Sequence, residues 1–283
     1  MRTTQVNGSR SEEKPRSRIA LDLQYPPFTI AEPVTAIANI TTTRTTSGKT
    51  SAPADDTFAL ISNQKLLAMY AAMLCCRKMS QNVGGIERPK RAARNFSPLH
   101  GHEAAAVGAA IDLLPGDTVA APHWPEAALR AINPSVMLVS KVSFAGNSNG
   151  TNRGIRDVTL LFAAGERSAQ AAWRNVLNRH ASEPLPVLLF SLISASVAGF
   201  DGAFPKRSEG SKEYALPSMT VDGCDAVAVY RVTSEAIAHA RRGNGPTLIE
   251  CLVEKARDPL RDMAQYLVRK GLLNERSMLE LEA

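Results

Sequence analysis

Cysteine is scarce in this chain of 283 residues, with only Cys75, Cys76, Cys224 and Cys251. Four irregularly spaced cysteines are too few for the disulfide framework of a small secreted protein. No Cys-x-x-Cys pair is present, which excludes a zinc knuckle. Because Cys75 and Cys76 lie inside an apolar helical pattern, we expect them to fill the core. A reducing cytoplasm is the expected compartment.

A long apolar run is also missing. The longest uncharged stretch, residues 184–200, has 17 residues and contains two prolines, whereas a membrane helix needs about 20 apolar residues. We interpret it as a buried strand followed by a loop. Glu12 and Glu13 interrupt the Arg/Ser-rich start, so no signal or transit peptide is predicted. The sequence predicts a cytoplasmic protein without a membrane partner.

The excess of positive charge is small. Lys and Arg number 33 against 27 Asp and Glu, a net charge of +6. Nucleic-acid-binding domains concentrate more basic residues on one face, so no nucleic-acid partner is predicted. The basic loop at residues 87–94 is interpreted as a solvated charge run. A Gly-x-Ser-x-Gly elbow and a Walker lysine loop are both absent.

Composition divides the chain near residue 57. Residues 1–57 are Thr-rich, contain Pro26-Pro27 and lack a periodic apolar face. We predict that they form a disordered or loosely packed extension. Residues 58–283 are predicted to form the folded domain.

The folded part alternates helical and strand patterns. Apolar residues from Phe58 onward recur at three- and four-residue spacing, which predicts an amphipathic helix of about six turns. The other predicted segments are strands at Ser135–Phe144, Val158–Phe162, Val187–Ile193 and Thr247–Val253, and helices at Ser168–Arg179 and Asp225–Arg242. This alternation predicts an α/β fold with a mainly parallel sheet.

A helix of small residues is predicted at Gly101–Ala110. Small side chains let another backbone approach closely, either within the domain or in a partner. His100, His102 and Glu103 superficially offer metal ligands, but adjacent helical residues do not share a face. We therefore predict structural contacts for them.

The strand, turn and helix at residues 158–178 are the expected place for a ligand. In an open α/β sheet, the carboxyl end of a strand meets the N–H groups that begin the next helix. An anionic group bound there would lie against the helix that starts at Ser168, with Arg167 nearby. The predicted cofactor-binding residues are Gly165, Glu166, Arg167 and Ser168.

Two sequence blocks carry a family resemblance. Residues 216–230 read LPSMTVDGCDAVAVY, and residues 236–250 read AIAHARRGNGPTLIE. The Val-Asp-Gly-x-Asp, Val-Tyr, Ala-Arg-x-Gly-x-Gly-Pro and Ile-Glu elements resemble the alpha subunit of the thiamine-diphosphate-dependent 2-oxo acid dehydrogenases. This family includes the decarboxylating first components that act on pyruvate, branched-chain 2-oxo acids and acetoin. Residues 101–108 and 258–267 are similar as well.

The resemblance implies a fold, a reaction and partners. It implies a three-layer thiamine-diphosphate-binding-type fold and pairing with a beta subunit. The cofactor would lie across that interface, with Mg²⁺ holding its diphosphate on the alpha side. The reaction would be oxidative decarboxylation of a 2-oxo acid with acyl transfer to a lipoyl carrier.

The chain departs from the family at its cofactor ligands. The Gly-Asp-Gly carboxylate position holds Gly165, and the Asn ligand position falls at Ile193. A Tyr-Arg pair that contacts the cofactor is replaced near residues 122–124, and two active-site loops are shortened or missing. We therefore predict a degenerate cofactor site without catalytic or metal-binding residues. Two interpretations remain, a dehydrogenase subunit or a non-catalytic partner that docks on a beta-like subunit or on itself.

Overall fold

The computed structural model describes most of the region after residue 60. The described residues are 61–84, 100–121, 124, 126–139, 156–164, 185–194 and 217–274, and 171–178 except 173 and 177. The predicted extension at residues 1–57 lies outside them, so the division at residue 57 stays a prediction.

Helices and strands alternate through the described part. The helices are α1 (Asn63–Gly84), α2 (Glu103–Ala110), α3 (Glu126–Ile132), α4 (Ala226–Arg241) and α5 (Pro259–Arg269). The strands are β1 (Thr118–Ala120), β2 (Met137–Leu138), β3 (Thr159–Ala164), β4 (Val187–Ser194), β5 (Ser218–Asp222) and β6 (Thr247–Val253). They form one sheet in the order β2-β1-β3-β4-β6-β5, and every pairing is parallel. The predicted parallel α/β fold is confirmed.

Long, strongly patterned segments match their predictions closely. The 22 residues of α1 make about six turns, and β6 has the predicted bounds. Helix α4 begins where predicted because Asp225 caps it, accepting hydrogen bonds from the N–H groups of Val227 and Ala228. Asp258 caps α5 in the same way and is followed by Pro259, which favours the first helical position.

Short elements differ from the predictions. Within the described residues, the predicted strand at Ser135–Phe144 is reduced to β2, Met137–Leu138, and residues 140–155 lie outside the description. Strands β1 and β5 and helix α3 were not predicted. Strand β1 has only three residues, and β5 is a half-exposed edge strand with polar side chains, so neither shows the apolar run of a buried strand.

The main core lies between one face of the sheet and the helices α1, α2 and α4. Leu160, Phe162, Leu188, Phe190 and Ile249 are buried there. The opposite face carries a smaller cluster of Ala163, Leu189 and Leu248, against which Ala172 packs. Residues 171–172 and 174–176 are helical, which agrees with the predicted helix Ser168–Arg179 and adds the third layer.

Helix α2 is internal. All eight of its residues are buried within the chain itself. Gly108 marks the closest approach, since a Cβ atom there would lie 2.7 Å from the carbonyl oxygen of Ala226 in α4. Of the two roles that the sequence left open for Gly101–Ala110, the structure shows the internal one, because α4 occupies the close contact.

The uncharged stretch at residues 184–200 contains β4, which is almost entirely buried. This confirms the predicted strand, while residues 195–200 lie outside the description. Among the described helices, none combines the length and apolarity needed to cross a bilayer.

All four cysteines are buried and unpaired with one another. For Cys75 and Cys76 this confirms the predicted place in the core. Burial raises the pKa of Cys75, Cys76 and Cys224, and it raises the pKa of Cys251 to about 12.

The thiolate is the reactive form of cysteine, and a raised pKa keeps the thiol protonated. We therefore expect the native protein to resist iodoacetamide at pH 8, while the urea-unfolded protein takes up label at all four positions, as counted by mass spectrometry. Rapid labelling of the native protein would contradict this placement.

Candidate functional site

The carboxyl ends of β3 and β4 form the edge at which the cofactor is expected. The strands lie side by side, with Ala164 aligned to Leu192. The predicted residues Gly165, Glu166, Arg167 and Ser168 follow β3 directly, but they lie outside the described residues. Their role in cofactor binding therefore stays a prediction.

The end of β4 is described, and it is mainly apolar. Ile193, which the sequence predicts to stand at the position of the family's Asn ligand, is 9% exposed and aligned with Leu252 of β6. Ser194 follows it, aligned with Val253. Mg²⁺ prefers an octahedral set of oxygen ligands, usually with carboxylates among them. A single neutral hydroxyl beside an isoleucine does not fit that donor set.

An aromatic stack occupies the neighbourhood of the family's Tyr-Arg pair. Trp124 is 4% exposed, and its ring centroid lies 4.6 Å from that of Phe162. Phe162 stacks in turn on Phe190, also at 4.6 Å. Trp124 is thus an apolar anchor of the main core, because its ring is buried against other aromatic rings.

Glu103 has a structural role, as predicted for the His100-Gly-His102-Glu103 segment. Its buried carboxylate accepts hydrogen bonds from Arg77 Nε at 2.8 Å and from the Gly101 N–H at 2.8 Å. In the part of the chain that the structure describes, no group of three or more His, Cys, Asp or Glu side chains is placed to hold a metal ion.

Arg77 connects three helices, a role that the sequence did not reveal. Besides Glu103, it binds both carboxylate oxygens of Asp258, at 2.8 and 2.7 Å. Burial opposes the charge on Arg77, but the hydrogen bonds to Asp258 and Glu103 outweigh it and raise the guanidinium pKa. The same contact lowers the pKa of Asp258. We call Arg77, Glu103 and Asp258 the helix clamp, since they join α1, α2 and the cap of α5.

Asp117 is a second buried carboxylate with structural contacts. It is 1% exposed and accepts hydrogen bonds from the N–H groups of Leu114 and Val158, at 2.7 and 2.9 Å. Arg241, at the end of α4, donates a third at 2.5 Å. These contacts join the loop before β1 to the start of β3 and to α4. They satisfy the carboxylate within the fold and leave it no evident role toward a ligand.

Comparisons with known proteins agree with the resemblance seen in the motifs. A family model described as the dehydrogenase E1 component matches residues 202–253. The alpha subunit of acetoin:2,6-dichlorophenolindophenol oxidoreductase from Bacillus subtilis (strain 168) is 33% identical over 101 residues, or 34% of this chain and 30% of the relative.

Other relatives are more distant or match over longer segments. The chloroplastic pyruvate dehydrogenase E1 component subunit alpha-3 of Arabidopsis thaliana is 27% identical over 152 residues, 44% of this chain and 36% of the relative. The 2-oxoisovalerate dehydrogenase subunit alpha of Bacillus subtilis (strain 168) is 26% identical over 291 residues, 78% of this chain and 88% of the relative. The first two matches span about a third of the relatives' length.

Proposed function

We propose that this chain, a divergent relative of the 2-oxo acid dehydrogenase alpha subunits, retains their fold without holding thiamine diphosphate and Mg²⁺ on its own. The observation that carries the proposal is Ile193, a buried apolar residue where the family has an amide ligand. Gly165, in the position of the family's Asp, has no side chain and therefore no side-chain oxygen to bind Mg²⁺. The two positions that should supply oxygen ligands thus supply none.

The aromatic stack supports the same proposal. Trp124 packs on Phe162 in the core, near the place where relatives contact the cofactor. An indole ring buried in this way cannot provide the charge or hydroxyl group of the Tyr-Arg pair. No catalytic step is assigned to this chain. Its proposed role is that of a non-catalytic subunit, with a beta-like subunit as the partner that the resemblance suggests.

A ligand titration tests the proposal. Saturating thiamine diphosphate with Mg²⁺ should leave the melting temperature of the wild-type chain unchanged, whether it is alone or co-expressed with a beta subunit. Binding at 100 times the dissociation constant would stabilise the fold by about 2.7 kcal/mol. A clear upward shift for the wild-type chain would overturn the degenerate site.

A matched variant makes the negative result informative. The double substitution Gly165→Asp with Ile193→Asn restores both missing oxygen ligands, so it should gain a Mg²⁺-dependent shift. Gly165→Asp alone serves as the control, because it adds a carboxylate without the amide. If the wild-type chain and both variants show the same shift in melting temperature, residues 165 and 193 do not decide whether thiamine diphosphate and Mg²⁺ bind.

A further inference from the structure

Strand β5 forms one edge of the described sheet, and the backbone groups on its outer side have no partner strand among the described residues. The Pro217 carbonyl accepts from the Leu248 N–H at 3.0 Å, and the Gly223 N–H donates to the Leu252 carbonyl at 2.8 Å. Because alternate residues of a strand direct their backbone groups to opposite edges, those of Ser218 and Thr220 point away from β6. Within the described ranges, these groups make no hydrogen bond to a turn, a loop or a further strand. An unpaired edge of this kind is a template for an added strand.

The side chains of this edge are also uncovered. Ser218, Thr220 and Asp222 are exposed on one face of β5, although parallel sheets usually have both faces covered. A cavity of about 340 Å³ opens at the carboxyl ends of β5 and β6. It is lined by Thr220, Val221, Asp222, Leu252, Glu254 and Arg257.

Carboxylates dominate the charge around this cavity. Arg257 binds Asp222 at 2.6 Å and Asp262 at 2.8 Å, so its charge is already engaged. Glu254 is exposed and has no side-chain partner among the described residues. Asp222 and Asp262 thus flank one guanidinium, and Glu254 adds a third carboxylate at the cavity. This excess of negative charge favours a positively charged side chain as the occupant.

A fourth carboxylate lies next to the cavity. Glu250 of β6 accepts a hydrogen bond from the Thr220 hydroxyl at 3.2 Å through one oxygen. Its other oxygen is buried and has no hydrogen-bond partner within the described part of the chain. This oxygen increases the negative potential beside Thr220, because a carboxylate oxygen shielded from solvent is weakly screened.

We propose that the β5 edge and this cavity form the docking surface for an extended segment of a partner protein that carries a lysine or arginine side chain. The segment pairs with the outward backbone groups of Ser218 and Thr220, and its basic side chain enters the cavity toward Glu254 and Asp222. Recognition of this kind takes affinity from backbone hydrogen bonds and specificity from a side-chain pocket. A second copy of this chain fits poorly, because its β5 edge would bring the same carboxylates together.

Fluorescence anisotropy of labelled peptides tests the surface on the full chain. The probe is a fluorescein-labelled decapeptide of alternating lysine and valine, and its counterpart replaces each lysine by glutamate. We expect the basic peptide to bind in a salt-sensitive manner and the acidic peptide not to bind. Equal binding of both peptides, or binding of neither, would overturn the proposal, and so would self-association of the chain through this edge in light scattering.

Variants place the binding on the surface. Glu254→Gln should raise the dissociation constant of the basic peptide about fivefold, as expected for one partly exposed ion pair. Thr220→Pro should abolish binding, because it removes an outward N–H. It keeps the backbone hydrogen bonds to β6 and loses only the side-chain hydrogen bond from Thr220 to Glu250. Glu235→Gln, at an exposed position of α4, is the control and should change nothing. Circular dichroism verifies that each variant is folded. If Thr220→Pro unfolds the chain, Glu254→Gln alone decides: an unchanged affinity of this variant for the basic peptide refutes the docking surface.

Discussion

Replacing Arg77 by methionine is expected to lower the free energy of unfolding by about 3–5 kcal/mol. The change leaves the Glu103 carboxylate, which is fully buried, without its guanidinium partner. It also removes the paired hydrogen bonds to Asp258, at 2.8 and 2.7 Å. An uncompensated buried charge is among the most destabilising results of a single substitution. Urea unfolding of wild type and Arg77→Met measures the loss in the free energy of unfolding.

A second substitution separates the charge effect from lost packing. In the double variant Arg77→Met with Glu103→Leu the stranded carboxylate is gone, so a large part of the lost stability should return. Arg130→Met is the matched control, because its ion pair with Glu126 is mostly exposed and should contribute under about 1 kcal/mol. If Arg77→Met costs no more than Arg130→Met, the helix clamp does not stabilise the fold.

The helix clamp also predicts a direction for the pH dependence. Arg77 lowers the pKa of Asp258 in the folded state. A carboxylate with a depressed folded pKa contributes stability above its unfolded pKa, and that contribution is lost as the pH falls through the folded value. The difference in stability between wild type and Arg77→Met should therefore shrink as the pH falls into the acidic range.

Replacing Gly108 by alanine is expected to destabilise the protein, although alanine is the better helix former. Helix propensity alone favours alanine by about 1 kcal/mol. In the fold, however, the added Cβ would lie 2.7 Å from the Ala226 carbonyl oxygen and 2.9 Å from Val229 Cβ. The oxygen belongs to the backbone of α4, so the two helices must move apart. Overpacking of this kind costs about 1–3 kcal/mol, which exceeds the gain in propensity.

Two further variants bracket this expectation in the same urea experiment. Gly108→Val should cost more than Gly108→Ala, since it adds two methyl groups to the same contact. Ala238→Gly, at an exposed position of α4, measures the propensity effect alone and should cost about 1 kcal/mol. A gain in stability for Gly108→Ala would show that α2 and α4 separate easily and that their close contact is not required.

Elements with a strong local signal were predictable from the sequence. The apolar period of α1, the uncharged run of β4 and the caps of α4 act over a few residues, so they appear directly in the sequence. Strand β5 and helix α3 were missed because their stability comes from neighbours distant in the chain. Strand β5 is placed by its pairing with β6, and the pairing aligns Thr220 with Glu250.

The candidate site likewise has features that the sequence predicts and features that only the fold reveals. The motifs, compared with the family, predict that the ligand positions hold Gly165 and Ile193. They did not reveal that Ile193 is buried or that Trp124 packs in the core. The small-residue helix was equally open to an internal and an external role, and only its burial beside α4 decided between them.

By itself, the sequence determined the parallel α/β class and the resemblance to dehydrogenase alpha subunits, since these depend on residue type and local order. The loss of ligand side chains is a proposal that starts from the same residues. Only the tertiary structure decided which side chains meet. Arg77, Glu103 and Asp258 are far apart in the chain, yet their charges are stabilised only in contact with one another. The β5 edge and the acidic cavity beside it likewise exist only once β6 has placed that strand at the end of the described sheet.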